Sequence, residues 1–425
     1  MTFVRSLLLG FFILYILLIG YIRQTCWRDP TSPFFQSRKA HTSTYSTHRI
    51  QQAVEFADHA TVETLSAYQA NRTDPPELCV GIPSVKRAGV SYLKLTLGSL
   101  QQGLSPEERM RLRFVVLLAH VNQTEHPDFR EPWLAGMADE LPSYQDDEER
   151  LKLAKKMEAK RTHGTKSKFD YAIVMEECRK SRAPYILMLE DDVVFLDGWL
   201  HRTMEALATA TALSWEAGYT TFLYLRLFYY EGLLGWNSES WPTYLGTSLL
   251  ITSLVLSSLH LTRHYVPKTR PYLTRWVIVL VGGVFMPLLI ALYFAAGRNC
   301  VLPQRTGVHR MDKYACCGQG LVYPRTTVSE NLLPYFLKHR WAETPTDSLI
   351  EQYADETGAL RWALTPVVMQ HVGGQSSHSG SRGGRYGPKR IWNFGFEANE
   401  ATRLALEHSE VNSRTIDDLD TRILT

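Results

Sequence analysis

The 425-residue chain has almost no excess of charge of either sign: 46 Lys and Arg stand against 43 Asp and Glu, a formal +3. So even a balance gives no electrostatic case for a nucleic-acid partner, which calls for a basic patch or stripe. Cysteine is scarce, at six residues: Cys26, Cys79, Cys178, Cys300, Cys316 and Cys317. These are compatible with disulfides in an oxidising compartment, although their pairing is not legible. The adjacent Cys316 and Cys317 would strain to bridge one another, so separate partners are expected. No long apolar run carries an ionisable residue at its middle, which argues against a multi-span transporter. No small-x-small cleavage pattern follows Ile22, where the first run ends, so a retained anchor is expected in place of a cleaved signal peptide.

What the chain does have is three concentrated apolar runs. The first, Leu7 to Ile22, is flanked by Arg5, Arg23 and Arg28. It is short for a span, which suits the thinner bilayers of the early secretory pathway. The second, Tyr244 to Leu261, has no formally charged residue. The third, Trp276 to Ala296, includes Gly282, Gly283 and Pro287, which membrane helices tolerate. Lengths of roughly 20 apolar residues point to membrane spans, the other reading being a pair of buried core helices. Between the last two runs lie Arg263, Lys268, Arg270 and Arg275. Short basic connections stay cytosolic, so a cytosolic N-terminus puts residues 23–242 and everything after 297 in the lumen. The sequons Asn71-Arg72-Thr73 and Asn122-Gln123-Thr124 agree with that side.

The lumenal stretches read as alternating strands and helices. A polar, irregular stem with a helical stretch at 48–68 precedes the short apolar strand Cys79 to Pro83. Residues 84–102 show helical spacing, 113–121 a second strand, 146–161 a charged, solvated helix, and 168–179 another helix. Tyr185 to Leu189 forms a third strand. Such alternation predicts an α/β fold whose mainly parallel sheet carries helices on its faces. Ligands then sit beyond the carboxyl ends of the strands.

Glu190, Asp191 and Asp192 stand at such an end, after the apolar strand YILML and before Val193-Val194-Phe195. Acids framed by apolar strands are costly to bury unless a cation or hydrogen-bond donors receive them. Strand alternation offers Glu190 and Asp192 to one face and Asp191 to the other. A hard cation, Mn²⁺ or Mg²⁺, takes such oxygen ligands and neutralises a departing diphosphate. Asp192 is expected on the metal, and Glu190 either in the metal's shell through water or on a donor ribose.

The blocks VGIPSVKR…YLKLTLGSL, KSKFDYAIVMEECRKSRAPYILMLEDDVVF and CCGQGLVYPR resemble the GT-A-fold glycosyltransferases. Within these the chain resembles two groups. One comprises the N-acetylglucosaminyltransferases that branch N-glycans. The closer one, by its anchor and a transmembrane hairpin inside the catalytic domain, is the post-GPI-attachment N-acetylgalactosaminyltransferase family. The triplet is spelled EDD where DxD is commoner, yet it keeps a carboxylate at each end. The resemblance implies donor contacts at Pro83, Arg87, Lys168, Glu190, Asp191, Gly318 and Gly320. It also implies a metal ligand at His371, which otherwise reads as a structural histidine, and UDP-GalNAc as donor.

Cys316-Cys317-Gly318-Gln319-Gly320 precedes the strand Leu321 to Tyr323, either as a plain turn or as a loop approaching the donor closely. Thr346 or Asp347 either caps the helix Ser348 to Asp355 or, for Asp347, serves as base in an inverting reaction as the resemblance implies. A strand from Leu364 to Met369 leads to His371. The basic, glycine-rich stretch 380–390 is a lid or a polar loop. Tyr224 to Tyr230 reads as a strand with an aromatic end, followed by Trp236 and Trp241; these aromatics suit a sugar ring or a membrane interface.

The expected organisation is an anchor at 1–23, a stem at 24–76, a GT-A domain at 77–243 and 297–395 interrupted by a transmembrane hairpin at 244–296, and a tail at 396–425. The expected function is transfer of GalNAc to the core mannose of a GPI anchor on a GPI-anchored protein, in the Golgi lumen, with inversion. The alternatives are an N-glycan GlcNAc transferase and a non-catalytic scaffold for GPI-anchored cargo.

Overall fold

A computed structural model describes residues 2–72, 74–87, 89–160, 163–311, 318–374 and 391–423. Thr73 of the first sequon, Cys316, Cys317 and the stretch 380–390 lie outside the described residues. The chain divides into two units, Met1–Thr42 with Glu231–Gln304 and Ser43–Tyr230 with Arg305–Thr425.

The first unit contains three helices long and apolar enough to cross a membrane: Phe3–Thr25, Glu231–Tyr265 and Arg275–Ala296. In the second, two short 3-10 turns precede the continuous helix Trp241–Tyr265, which starts before and ends after its apolar run. A disulfide joins Cys26 to Cys300. Beside it the buried Asp29 accepts hydrogen bonds from Thr31, from Asn299 Nδ2 (3.2 Å) and from the Cys300 N–H (2.9 Å). Trp236 donates from Nε1 to the Phe294 carbonyl at 3.0 Å and packs on Tyr244, Tyr293 and Phe294. Its aromatics thus serve the apolar helices of this unit.

The second unit is built on a seven-stranded sheet ordered β2-β1-β3-β7-β5-β8-β6. Its strands are β1 (Leu78–Ser84), β2 (Leu112–Leu118), β3 (Tyr185–Leu189), β5 (Tyr224–Arg226), β6 (Gly307–Arg310), β7 (Gly320–Pro324) and β8 (Arg361–Thr365). A separate pair joins β4 (Val193–Phe195) to β9 (Met369–His371). β1, β2, β3, β5 and β8 share one direction, while β6 and β7 oppose it, so the expected parallel sheet is mostly parallel but mixed. The disulfide Cys79–Cys178 ties β1 to the helix His163–Lys180 on one face of the sheet.

Four local expectations change. The helix expected over 84–102 spans only Leu93–Gln101, because Val85–Arg87 and Gly89–Tyr92 are neither helix nor strand. The helical stretch at 48–68 breaks into Tyr45–Asp58 and Val62–Asn71, where the Thr61 side chain accepts the Thr64 N–H as a cap. The strand foreseen at 364–369 divides into β8 and β9 around Pro366, which has no N–H to continue a ladder. The strand expected to run on to Tyr230 ends at Arg226.

Residues 24–76, expected as a stem, divide between the units after Thr42. Tyr45–Asp58 packs so closely on Leu93–Gln101 that a Cβ at Gly98 would strike the Ala53 carbonyl oxygen. Glycine inside a helix costs about 1 kcal/mol against alanine; here it permits the contact. Gly98→Val is therefore expected to destabilise the second unit by about 1–3 kcal/mol, as overpacking does, read as a lowered melting temperature. The expected tail is likewise engaged. Within the helix Ala401–Ile423, the buried His408 bonds Asp197 at 2.6 Å and Glu108 at 3.0 Å. Burial opposes its charge, but these two carboxylates raise its pKa to about 9.

Candidate active site at the end of the third strand

The triplet lies where the chain leaves the large sheet for the small one. β3 ends at Leu189, and β4 begins at Val193. The three acids fill the gap, and neighbours fix its backbone on each side. Thr96 Oγ1 donates to the Asp191 and Val193 carbonyls, both at 2.8 Å, and Ser99 Oγ accepts the Phe195 N–H at 3.0 Å. Thr96 and Ser99 stand one helical turn apart, so one helix face holds the start of β4. β7 runs antiparallel to β3, which sets Gln319 beside Glu190. The Glu190 N–H donates to the Gln319 carbonyl at 3.1 Å, and Gln319 Nε2 donates to Glu190 Oε2 at 3.3 Å.

β9 supplies the remaining member. His371 pairs with Val193, and the Val372 N–H donates to the Asp192 carbonyl at 2.9 Å. Glu190, Asp192 and His371 consequently present ligand atoms within 4.8 Å of one another. His371 Nε2 stands 3.4 Å from Asp192 Oδ2, while the buried Asp192 Oδ1 has no hydrogen-bond partner among the described residues. A buried carboxylate oxygen left open beside a second carboxylate and an imidazole offers donors of the kind a divalent cation takes.

Asp191 turns the other way. It receives Ser84 Oγ–H from the end of β1 and Arg87 Nη1, while Arg87 Nη2 reaches Asp192 Oδ2 at 3.1 Å. Ser84 spends its only proton on Asp191, so His126 Nε2 donates to Ser84 Oγ at 3.0 Å, and His126 Nδ1 accepts the Asp128 N–H at 3.2 Å. That pattern makes His126 neutral, in keeping with a pKa lowered to about 4 by burial, His120 and Arg87. Arg87 and Asp191, expected on the donor, thus engage each other. Ser84, Thr96, His126 and Gln319 escaped the sequence reading; the only local hint was a pair of hydroxyl residues spaced i, i+3 in a leucine-rich helix.

Crowding separates the acids electrostatically. Burial and the adjacent Asp192 push Glu190 up to about 7. Burial raises Asp191 despite Arg87. Burial would raise Asp192 as well, but His371 and Arg87 hold it below the usual range, and in return Asp192 raises His371 against the effect of burial.

The other expected residues fall in several places. Asp347 sits in the first turn of the helix Thr346–Thr357, beside Gly318, and its carboxylate acts on Glu190 through space. It accepts the Ser348 N–H at 2.7 Å, and Pro345 is the residue preceding the helix, so Asp347 is not the N-cap. Gly320 opens β7 against Met369, leaving no room for a Cβ. Pro83 pairs with Leu117 inside β1. Lys168 does not join the cluster. Its ammonium donates to the His339 and Ala342 carbonyls at 3.3 and 2.5 Å, because its helix faces the segment ahead of Asp347. Gly373 abuts Asp192 so tightly that any Cβ would overlap the carboxylate. Gly373→Ala is expected to displace Asp192 and lower turnover by about 10²-fold with the fold retained, measured as kcat beside a thermal melt.

Comparison with known families matches residues 78–370 to the GPI-N-acetylgalactosamine transferase PGAP4. The match starts at β1, contains the acidic triplet and Asp347, and stops one residue before His371. A comparison with curated proteins found no match. More than half of the chain, including the strand end that gathers the acids, follows that one pattern, and the chain belongs to the GPI-N-acetylgalactosamine transferase PGAP4 family, glycosyltransferases that act on GPI anchors.

Proposed function

We propose that the protein transfers GalNAc from UDP-GalNAc to the core mannose of a GPI anchor, with inversion, in the Golgi lumen. The observation that carries this is the Glu190, Asp192 and His371 cluster at the end of β3, within the stretch and its border that define the family. Asp192, Glu190 and His371 would hold Mn²⁺ or Mg²⁺, which when bound neutralises the charge developing on the departing diphosphate. The chain's own residues do the rest. Arg87 and Asp191 keep Asp192 aligned from behind. Gly318, with only Asp347 near the place of its missing side chain, leaves room for the donor, while Gly320 lets β7 pack on Met369. Asp347, across Gly318, takes the proton of the acceptor hydroxyl as the new bond forms on the face opposite the leaving group.

The disulfides Cys26–Cys300 and Cys79–Cys178 support an oxidising lumen. The chain passes between the two units after Thr42, Tyr230 and Gln304, so the catalytic unit is tied three times to apolar helices. A tether to the membrane that holds the acceptor raises its effective concentration. The test is purified full-length protein with Mn²⁺, a GPI glycan and each UDP-sugar in turn. Turnover of UDP-GalNAc above the other donors is expected; a preference for UDP-GlcNAc overturns the donor, and no transfer from any donor favours the scaffold.

A further inference from the structure

Residues 339–345 join the helix Leu333–Lys338 to the helix Thr346–Thr357, whose first turn holds Asp347. Though irregular, the segment is held from beneath. Lys168, 2% exposed, grips its carbonyls at His339 and Ala342. Thr165 Oγ1 donates to Glu343 Oε1 at 3.0 Å, and Gly164 lies so close to the Glu343 carbonyl that a Cβ would overlap it. Ser167 Oγ stands 3.4 Å from Thr346 Oγ1. A buried ammonium is costly unless partnered, and two carbonyls and the Glu343 carboxylate of this one segment partner Lys168, which fixes the segment's shape.

What the fixed backbone displays is Trp341, whose residue is 47% exposed. Lys156 Nζ lies 4.8 Å from the ring centroid and the Arg340 guanidinium 5.6 Å. Both cations are exposed, and neither makes an ion pair among the described residues. A flat indole suits the C–H face of a sugar ring, and free cations beside it suit a phosphate. Asp347 lies six positions after Trp341, which bounds the reach between their Cα atoms at about 20 Å. A glycan of several rings spans that distance.

We propose that Trp341, Lys156 and Arg340 form an acceptor subsite that binds the phosphate-bearing part of the GPI glycan while a mannose hydroxyl lies at Asp347. This rests on the proposed function for its acceptor and for Asp347. The occupant follows from charge and shape: a phosphorylated glycan matches an indole flanked by two exposed cations, whereas a neutral oligosaccharide leaves the cations unused. Lys168 is the positioning residue that holds the subsite and the start of the Asp347 helix in one arrangement.

The test uses the full-length protein in detergent, a phosphoinositol-linked oligomannoside, and the same oligomannoside without phosphate. Trp341→Ala is expected to raise the acceptor KM about tenfold on both, with the KM for the UDP-sugar unchanged, and Trp341→Phe to recover most of the loss. The double variant Lys156→Gln, Arg340→Gln is expected to raise KM only for the phosphorylated acceptor and to flatten its dependence on salt. An unchanged acceptor KM in Trp341→Ala overturns the subsite, and equal losses on both acceptors in the double variant overturn the phosphate assignment. Should the wild type prefer another UDP-sugar, the donor reading fails while these comparisons still decide the subsite. Should it transfer nothing, calorimetric binding of the phosphorylated glycan decides it: equal affinity in wild type and Trp341→Ala refutes it.

Discussion

Asp192→Ala is expected to lower kcat by about 10³-fold or more, since a bound cation supplies several kcal/mol of leaving-group stabilisation and each 1.4 kcal/mol is a decade. Asp192 is the member of the cluster that everything else adjusts. Arg87 pairs with it, His371 Nε2 faces it, Gly373 makes room for it, and its buried Oδ1 has no hydrogen-bond partner among the described residues. The fold should tolerate the change. Removing one carboxylate relieves the repulsion that raises Glu190 and leaves Arg87 paired with Asp191. A melting temperature within about 3 °C of wild type, together with loss of Mn²⁺ dependence, is the expected pair of results. Activity within tenfold of wild type at saturating Mn²⁺ would show that Asp192 does not hold the cation.

Asp347→Asn should cost about 10²–10⁴ in kcat, the range for losing a general base. The asparagine oxygen can still accept the Ser348 N–H that Asp347 receives at 2.7 Å, so the helix start is preserved. Affinity for UDP with Mn²⁺ is expected to stay as in wild type, because Glu190, Asp192 and His371 are untouched. The split distinguishes a base from a structural residue: a loss carried by donor binding, or activity within tenfold of wild type, would move the base elsewhere. Capping is already a poor rival, as Pro345 is the residue preceding the helix and its first turn merely contains Asp347.

Much of this site announces itself locally. An apolar strand that ends in three consecutive acids and resumes as another apolar strand needs only period and burial to be recognised. The strands at 79–83, 113–121 and 185–189 likewise stand within a few residues of β1, β2 and β3. Lys168 shows where local reading stops. Its neighbourhood in the chain resembles a donor-binding segment, yet its helix directs the ammonium toward carbonyls some 170 residues later. Ser84 and His126 are still harder to find, because each acts only through a partner on another element.

Apolar period and length alone determined the three long helices of the first unit, the strands β1, β2 and β3 and the acids that follow β3, since each follows from residues adjacent in the chain. Tertiary structure alone decided that β7 would enter antiparallel and put Gln319 beside Glu190, and that β9 would bring His371 to Asp192 across 179 residues of chain. It also decided that Arg87 would be shared by two acids and that the Trp341 side chain would stand half exposed. Strand order and partner choice depend on which faces bury together, and that is a property of the whole sheet that no local window contains.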